Sequence, residues 1–331
     1  MSRLGRPLLL LVCLLVLDFA LPRLLPGDPL AAPSSGGGQD SAGALTPEAR
    51  ARLLAYYGLD RPLPEQFGRF LLATARGDLG FSIAFNQPVG ALIARRFGWT
   101  LFLTGGALAL SASAVGGGLL GLLAAWPGGG RGGAAARGIG LALLLPGILP
   151  EFVTGLALVV AFTVWWPILP GRGALAPFRV CDGAALLGCT GDALRHAALP
   201  GLTLTLAHLP AFYLLMRGAA RQELDRGYVT AARAKGLREP RVALGHVLRN
   251  ALPLTLALLG VRVGLLLGGA VVVETVFAYP GLGYLTFQAI GARDYPLLQA
   301  LFLLSGLAVL VANLGSDLLL RRVDPRRVDA G

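Results

Sequence analysis

Long apolar runs constrain this chain more than any other feature of its sequence. The 331 residues are 55% hydrophobic and 14% charged, whereas an average soluble domain has about 25% charged residues. Several apolar runs approach the ~20 residues that a helix needs to cross a bilayer. We therefore predict an all-α polytopic membrane protein with six transmembrane helices. The predicted spans cover residues 6–25, 98–126, 139–169, 197–216, 252–273 and 297–320.

The composition changes between the first two spans, which predicts a segment outside the membrane. Residues 31–41 are rich in Gly, Ser and Pro, and Thr46-Pro47-Glu48 has the residue types that begin a helix. We expect short helices over 46–58, 64–75 and 89–96. The chain then comprises an N-terminal transmembrane helix, an extramembrane helical segment, a five-helix core and a short tail, at residues 1–25, 26–97, 98–320 and 321–331.

Basic residues are distributed unevenly between the loops that join the spans. With the amino terminus inside, sixteen Lys and Arg residues fall on the inner side and four fall in the two short outer loops. The positive-inside rule then places both termini and the 217–250 loop in the cytoplasm. The net charge of +11 does not predict a nucleic-acid partner, because the basic residues do not gather on one soluble domain.

The most distinctive basic stretch, Tyr228–Pro253, separates two very apolar segments. Gly236 suits the left-handed residue that ends a helix, and Pro240 suits the first turn of the next helix. We predict two short helices on the membrane surface with a sharp bend at Gly236-Leu237. A basic loop that only sets topology is the alternative interpretation. Small residues predict a flat face that another protein can approach closely: Ala231, Ala232, Ala234 and Gly236.

This stretch resembles the cytoplasmic EAA loop of ABC-transporter permeases, specifically those of the dipeptide, oligopeptide and nickel family. The shared pattern, Tyr-Val-Thr-Ala-Ala-Arg-Ala-Lys-Gly-Leu, begins at Tyr228 and resumes with Arg-Asn-Ala-Leu-Pro at Arg249. Thr230 stands where the general importer pattern has Glu. The long first outer segment resembles that of the first-type ("B") subunit. Further family-like motifs follow one another at 24–29, 77–82, 269–277, 280–283, 293–296 and 324–326.

The resemblance implies the type I ABC-importer permease fold in the bacterial inner membrane. It also implies an uncleaved first helix and a small helical extracytoplasmic insertion between helices 1 and 2. By itself, the basic start of the chain is also compatible with a secretory signal peptide. The implied partners are a second six-helix permease subunit, two ABC ATPase subunits, an extracytoplasmic substrate-binding protein and membrane lipid. The residues implied in coupling to the ATPase are Tyr228, Thr230, Ala231, Ala232, Lys235, Gly236, Leu237, Arg249, Asn250 and Pro253.

No sequence motif for an enzymatic reaction is present. A Walker A sequence needs Gly-Lys-Ser/Thr, but the single lysine, Lys235, is followed by Gly236. The chain also lacks paired carboxylates, a Gly-x-Ser-x-Gly elbow and a His-Glu-x-x-His motif. We therefore expect no catalytic residue and no cofactor in this chain, with ATP and Mg²⁺ bound by partner subunits. A secondary transporter and a structural membrane protein are the alternatives, although no inverted repeat supports the former.

Ionisable residues within or near the predicted spans are candidates for function, because charge is costly to bury in lipid. Glu151, Arg262 and Glu274 are the candidates for the translocation path, and Asp18 and Asp317 share the pattern. Arg262 and Glu274 are twelve residues apart in the sequence, which is about 18 Å along a straight helix. A direct pair between them therefore needs a break or another helix. A structural ion pair or a snorkelling side chain is the alternative for each residue.

Cysteine and histidine do not predict a metal site. Cys181 and Cys189 lie in one outer loop, where a disulfide is as compatible with the position as two free thiols. No Cys-x-x-Cys pair is present, and the three histidines are scattered along the chain. Family members import di- and oligopeptides, and some import nickel, glutathione or related solutes. The resemblance favours peptides, with nickel or another small solute as the alternative.

Overall fold

A computed structural model of the chain describes residues 5–24, 48, 60–112, 117–126, 131–176, 186–266 and 271–323. The predicted helix over 46–58 lies outside these residues apart from Glu48. Most of the motif at 24–29, the Gly/Ser-rich stretch, Cys181 and the tail motif at 324–326 also lie outside them.

The described chain is mostly helical, with two wider π-helical turns at Val160–Trp165 and Ala243–Val247. The helices are α1 (Gly5–Leu24), α2 (Leu63–Ala75), α3 (Val89–Ala112), α4 (Gly117–Ala125), α5 (Arg131–Ile148), α6 (Glu151–Val159), α7 (Leu186–Leu224), α8 (Gly227–Ala234), α9 (Glu239–Val242), α10 (Leu248–Leu266), α11 (Val271–Val276), α12 (Leu282–Ala292) and α13 (Tyr295–Val323).

Four helical stretches among the described residues are long and apolar enough to cross a membrane. A fifth arises if α5 and α6, which meet at an angle of 105°, form one bent span. The apolar part of α1, Leu9–Ala20, is shorter. The polytopic helical character is thus confirmed, whereas the count of six spans stays a prediction. The four stretches are Val89–Ala125, Cys189–Leu224, Glu239–Val263 and Tyr295–Gly315.

Helix α7 is the central element, and α3, α4, α5, α6 and α10 all pack against it. Gly117 and Gly121, four residues apart on α4, allow the two backbones to approach closely. A Cβ atom on Gly117 would lie 2.6 Å from the backbone nitrogen of Tyr213, and one on Gly121 would lie 2.6 Å from its carbonyl oxygen. Small residues at this spacing are how membrane helices gain close packing without a hydrophobic driving force.

The break between α5 and α6 follows from proline. Pro146 lies inside α5 and Pro150 immediately precedes α6. Proline lacks the backbone N–H that would continue the helical hydrogen bonds and disfavours helical geometry in the preceding residue. The chain therefore turns by 105° between Ile148 and Glu151 instead of continuing as one straight helix.

Three details of the predicted secondary structure are wrong. The extramembrane segment is not purely helical, because Phe81–Ser82 pairs with Gln87–Pro88 in a small antiparallel hairpin. The helix predicted over 89–96 is the first part of α3, since no proline separates it from the span and an isolated glycine does not end a helix. The segment 275–296, predicted as a loop, contains helix α12.

Asp294 joins the hairpin to the beginning of α13. Its carboxylate is fully buried and accepts hydrogen bonds from the Ser82 hydroxyl and from the backbone N–H of Ala84 (3.0 Å). It also accepts from the backbone N–H of Leu297 (3.2 Å) in the first turn of α13. One side chain therefore caps a long helix and holds the extramembrane hairpin against it.

We expect Asp294→Ala to lower the free energy of unfolding by about 2 kcal/mol, because buried donors lose their acceptor and α13 loses its cap. The measurement is thermal unfolding of the purified protein in detergent, followed by tryptophan fluorescence. Asp78→Ala is the matched control, because exposed Asp78 accepts only a local bond from the Gly80 N–H (2.9 Å). Equal unfolding temperatures for the two variants would contradict the role of Asp294.

Candidate functional site

Helix α8 ends at a left-handed glycine, as the sequence predicts. Gly236 has a φ of +75°, and its N–H donates to the carbonyl of Arg233 (2.9 Å), while the N–H of Leu237 donates to that of Ala232 (3.3 Å). This pair of bonds is the Schellman motif. The chain then reverses into α9, which has Pro240 in its first turn. The two predicted helices and the bend at Gly236-Leu237 are confirmed.

An ion pair spans the outside of this bend. The Arg233 guanidinium contacts both carboxylate oxygens of Glu239, with Nε–Oε1 and Nη2–Oε2 distances of 2.9 and 3.1 Å. The same guanidinium lies 5.7 Å from the centre of the Trp126 ring, just after α4. Bidentate geometry restrains the orientation of α8 relative to α9, although an exposed pair contributes at most about 1 kcal/mol to stability.

The inner side of the loop belongs to a buried apolar cluster, which we call the loop cluster. Its loop members come from α8, α9 and the following π-helical turn, and the others come from α4, α7 and α10. Because interiors are close-packed, a displacement of the loop is transmitted to all three of these helices. The loop cluster comprises Leu122, Ala125, Met216, Ala219, Ala220, Leu224, Val229, Ala232, Val242, Val247 and Ala251.

The outer side of α8 carries exposed residues, most of which are small. Thr230, Ala231, Ala234 and Lys235 are exposed, and a side chain added at Gly236 would meet open space. We call these five residues the outer face of the loop.

The predicted face is wrong in one position. Ala232 is only 5% exposed and belongs to the loop cluster. The reason is helical periodicity: Ala232 lies three residues after Val229, so both lie on the same side of α8. The sequence does not separate the buried side of α8 from its exposed side, because Ala occurs on both.

The remaining residues that the resemblance implies in coupling lie at the ends of the loop or beside its bend. The Tyr228 hydroxyl donates to Glu223 Oε2 (2.6 Å) at the end of α7. Burial, and next this hydrogen bond, raise the pKa of Tyr228 above its ordinary value, so the hydroxyl stays a donor. Asn250 donates from Nδ2 to the His246 carbonyl (3.0 Å). Leu237 and Pro253 are partly buried, whereas Arg249 is exposed.

Glu274 occupies a different site, between α3, α11 and α12. Its carboxylate is fully buried and accepts from the Thr100 hydroxyl (2.8 Å) and from the Tyr284 N–H (3.0 Å). The Thr100 oxygen in turn accepts from the N–H of Leu282 (2.7 Å). The two side chains thus satisfy the first amides of α12, which would otherwise be unpaired.

Two glycines of the motif at 280–283 make room for this carboxylate. A Cβ atom on Gly281 would collide with the Glu274 carboxylate, and one on Gly283 would lie 2.7 Å from the Cα of Val271. The prediction that Glu274 lines the translocation path is therefore corrected: a fully buried, fully bonded carboxylate holds the break between α11 and α12. No ion pair joins Glu274 to Arg262 among the described residues.

Arg262 instead lies within electrostatic range of Glu151 and His208, which come from α6 and α7. All three side chains are partly buried. Glu151 and Arg262 are among the candidates predicted from the sequence, whereas His208 is not. The signal for it was present, because His208 is also an ionisable residue inside a predicted span.

Asp18 and Cys189 are two further candidates that lie among the described residues. Asp18 is 1% exposed within α1, and neither carboxylate oxygen has a hydrogen-bond partner in the described part of the chain. Cys189 is buried and is not a free thiol; since Cys181 is not described, the bond between them stays a prediction. The described residues contain no group of three or more His, Cys, Asp or Glu that could hold a metal ion.

Comparison with known proteins identifies one family and several full-length relatives. Residues 117–329 match the family described as binding-protein-dependent transport system inner membrane component. The chain is 36% identical over 318 residues to a putative peptide permease protein of Brucella ovis, covering 96% of this chain and 94% of the relative.

Two further relatives carry more specific names. The glutathione transport system permease protein GsiC of Pectobacterium atrosepticum is 37% identical over 321 residues, covering 96% of this chain and 94% of its own length. The dipeptide transport system permease protein DppB of Escherichia coli K12 is 33% identical over 341 residues, which cover 98% of this chain and 97% of the relative. The similarity therefore extends well beyond the loop.

We expect Thr100→Val to lower the free energy of unfolding by about 2 kcal/mol, because it leaves a buried carboxylate oxygen and a buried amide without their partner. Thermal unfolding in detergent measures the change. Thr104→Val is the control, since the Thr104 hydroxyl is also buried but bonds only the Thr100 carbonyl within its own helix (2.5 Å). A control as destabilised as Thr100→Val would argue against the Glu274 network.

We expect Ala232→Arg to lower the free energy of unfolding by about 3 kcal/mol, because the charge enters the close-packed loop cluster. Ala234→Arg, on the outer face of the same helix, should unfold at the wild-type temperature. Both variants add the same side chain, so the difference reports only the side of α8 on which it lies. If Ala234→Arg were the less stable variant, the assigned orientation of α8 would be wrong.

Proposed function

Because the chain belongs to the family of binding-protein-dependent transport system inner membrane components, we propose that it conducts di- or oligopeptides. Membership of this family makes it a multi-pass transport subunit of the inner membrane. In this proposal an extracytoplasmic binding protein delivers the peptide, and ATP hydrolysis on separate subunits drives import. The names of the relatives support this substrate class, since they refer to a peptide, to glutathione and to a dipeptide.

One observation carries the ATP-driven part of the proposal: the 217–250 loop has two sides with different properties. Its inner side is embedded in the loop cluster, and its outer face consists of exposed residues that are small except for Lys235. A helix with that outer face fits closely into a groove on another protein. The ATPase subunit is the proposed occupant, because the chain has no Walker A sequence of its own.

The coupling mechanism follows from the loop cluster. Closure of the two ATPases around ATP and Mg²⁺ would move the docked loop, and close packing would carry this movement into α4, α7 and α10. These helices then shift between an outward-open and an inward-open arrangement. The loop acts as a two-state element that a ligand at a distant site biases. Arg249 and Asn250 lie at the start of α10, where the movement of the loop would reach this membrane helix.

The proposed assembly contains a second six-helix permease subunit, two ABC ATPases and the binding protein, surrounded by lipid. Within this chain we propose six spans of the type I importer fold, counting α1 as the first and the bent α5–α6 pair as the third. The insertion over 26–97 then faces the extracytoplasmic side, and both termini and the tail at 321–331 are cytoplasmic. The distribution of basic residues supports this orientation.

Two alternatives remain. Nickel or another small solute could replace the peptide without any change to the coupling machinery, because the binding protein selects the solute in such systems. A secondary transporter would need no ATPase, and it leaves the outer face of the loop without a partner. Purification of the tagged chain from its native membrane in mild detergent separates the two classes. The proposal expects ATPase subunits and a second permease to co-purify with it.

We expect Ala234→Arg to abolish co-purification of the ATPase and to lower uptake of a radiolabelled dipeptide about tenfold or more, the effect of losing roughly 1.4 kcal/mol at an interface. Membrane insertion and thermal stability should not change, because this position is exposed. Ala94→Arg is the control, since Ala94 is an exposed alanine at the opposite end of the membrane segments. Wild-type uptake and ATPase recovery in Ala234→Arg would contradict docking at the outer face.

A further inference from the structure

The break between α5 and α6 lies beside ionisable residues. Irregular backbone at membrane depth is tolerated only where protein buries it or where it lines a water-filled cavity. Discontinuous helices also supply the solute sites of several transporter folds. Here α6 begins at Glu151, so a carboxylate and the first free amides of a helix meet at the break.

Close contacts fix where this break lies along α7. A Cβ atom on Gly147, before the break, would lie 2.5 Å from Pro210 Cγ, and one on Gly155, after it, would lie 3.5 Å from Thr203 Cγ2. The break therefore lies against the stretch of α7 from Thr203 to Pro210, and Glu151 lies midway in sequence between the two glycines. That stretch of α7 contains His208.

Arg262 reaches the same level from a third helix. It lies fourteen residues after the start of α10 at Leu248, which corresponds to about 21 Å of helix. His208 lies sixteen residues before the end of α7 at Leu224, or about 24 Å from the loop. The similar depths agree with the electrostatic effect of Arg262 on both Glu151 and His208.

Arg262 acts electrostatically on Glu151 and His208 without a direct bond to either. Within the described part of the chain, no hydrogen bond or ion pair joins Arg262 to Glu151 or to His208. A structural ion pair in a low-dielectric region would be expected in direct contact, because only good geometry offsets the loss of hydration. All three side chains are also partly accessible. An acid and a base are thus both partly accessible and are not joined by a direct ion pair.

We propose that Glu151, His208 and Arg262 form one polar solute site, deep in the translocation path, that takes the charged ends of a zwitterionic peptide. Arg262 binds the terminal carboxylate, and Glu151 binds the terminal ammonium group. His208 supplies a ring nitrogen for a further hydrogen bond. This inference rests on the proposed function and specifies its substrate class.

The residue types suit this ligand better than a metal ion. Guanidinium matches carboxylate with two parallel hydrogen bonds, and a carboxylate accepts from an ammonium group. A free divalent cation would meet Arg262 as a like charge, so the site disfavours an unchelated metal. A site of three residues also replaces part of the hydration of a peptide without holding it tightly, which passage through a membrane requires.

The test uses the complete transporter with its partner subunits and binding protein, reconstituted in liposomes. Uptake of radiolabelled dialanine is divided by the ATP hydrolysed and by the amount of assembled complex. We expect Arg262→Gln and Glu151→Gln each to lower this ratio about tenfold, as loss of a charged hydrogen bond does. Arg262→Lys should restore most of it. Glu274→Gln is the matched control, because its carboxylate is structural: assembled complex should decrease, but transport per complex should not.

A second measurement tests the assigned charges. In Arg262→Glu the site holds two carboxylates, so uptake of a lysine-containing dipeptide relative to dialanine should rise several-fold over the wild-type ratio. Comparing ratios removes the preference of the binding protein. Unchanged transport per complex in the Gln variants, or an unchanged ratio in Arg262→Glu, would overturn the inference. Wild-type liposomes that import nickel but no peptide would overturn both the inference and the proposed function.

Discussion

The constraint on which the rest of this structure depends is that backbone amides and carbonyls inside a hydrocarbon layer must bond to one another. Helices meet it along most of the described chain, and each break needs its own solution. At the break before α12, Glu274 and Thr100 take the place of the missing backbone partners. At the break before α6, Pro150 has no N–H to satisfy, and Glu151 remains accessible beside it.

The two acidic residues show how packing decides the role of one chemical group. Glu274 is enclosed by glycines that leave space for its carboxylate and for nothing larger, so all of its capacity goes to structural bonds. Glu151 is partly accessible and lies within electrostatic range of Arg262, with no hydrogen bond or ion pair between them in the described part of the chain. Both are carboxyl side chains at breaks between helices. Only the second is free to exchange its hydration for a solute, which is why the polar site includes one and excludes the other.

The proposed transmission of force rests on a similar division between two sides of one element. A helix as short as α8 has little stability of its own, and its order comes from burial of Val229 and Ala232 in the loop cluster. That burial also makes the loop continuous with α4, α7 and α10. Apart from Lys235 the outer face carries only small side chains, so a partner can approach the backbone of α8 closely. Stability on one side and access on the other are what a coupling element between two proteins requires.

The sequence by itself determined the class of protein, the proline break, the bend at Gly236 and the family, because these depend on local geometry, on apolar length and on motif order. It also supplied Glu151 and Arg262 as candidates. Tertiary structure decided that Ala232 points inward, that Glu274 is structural and that His208 joins Arg262 and Glu151. The physical reason is that a residue's accessibility and charged neighbours come from other helices, which lie close in space but far apart along the chain.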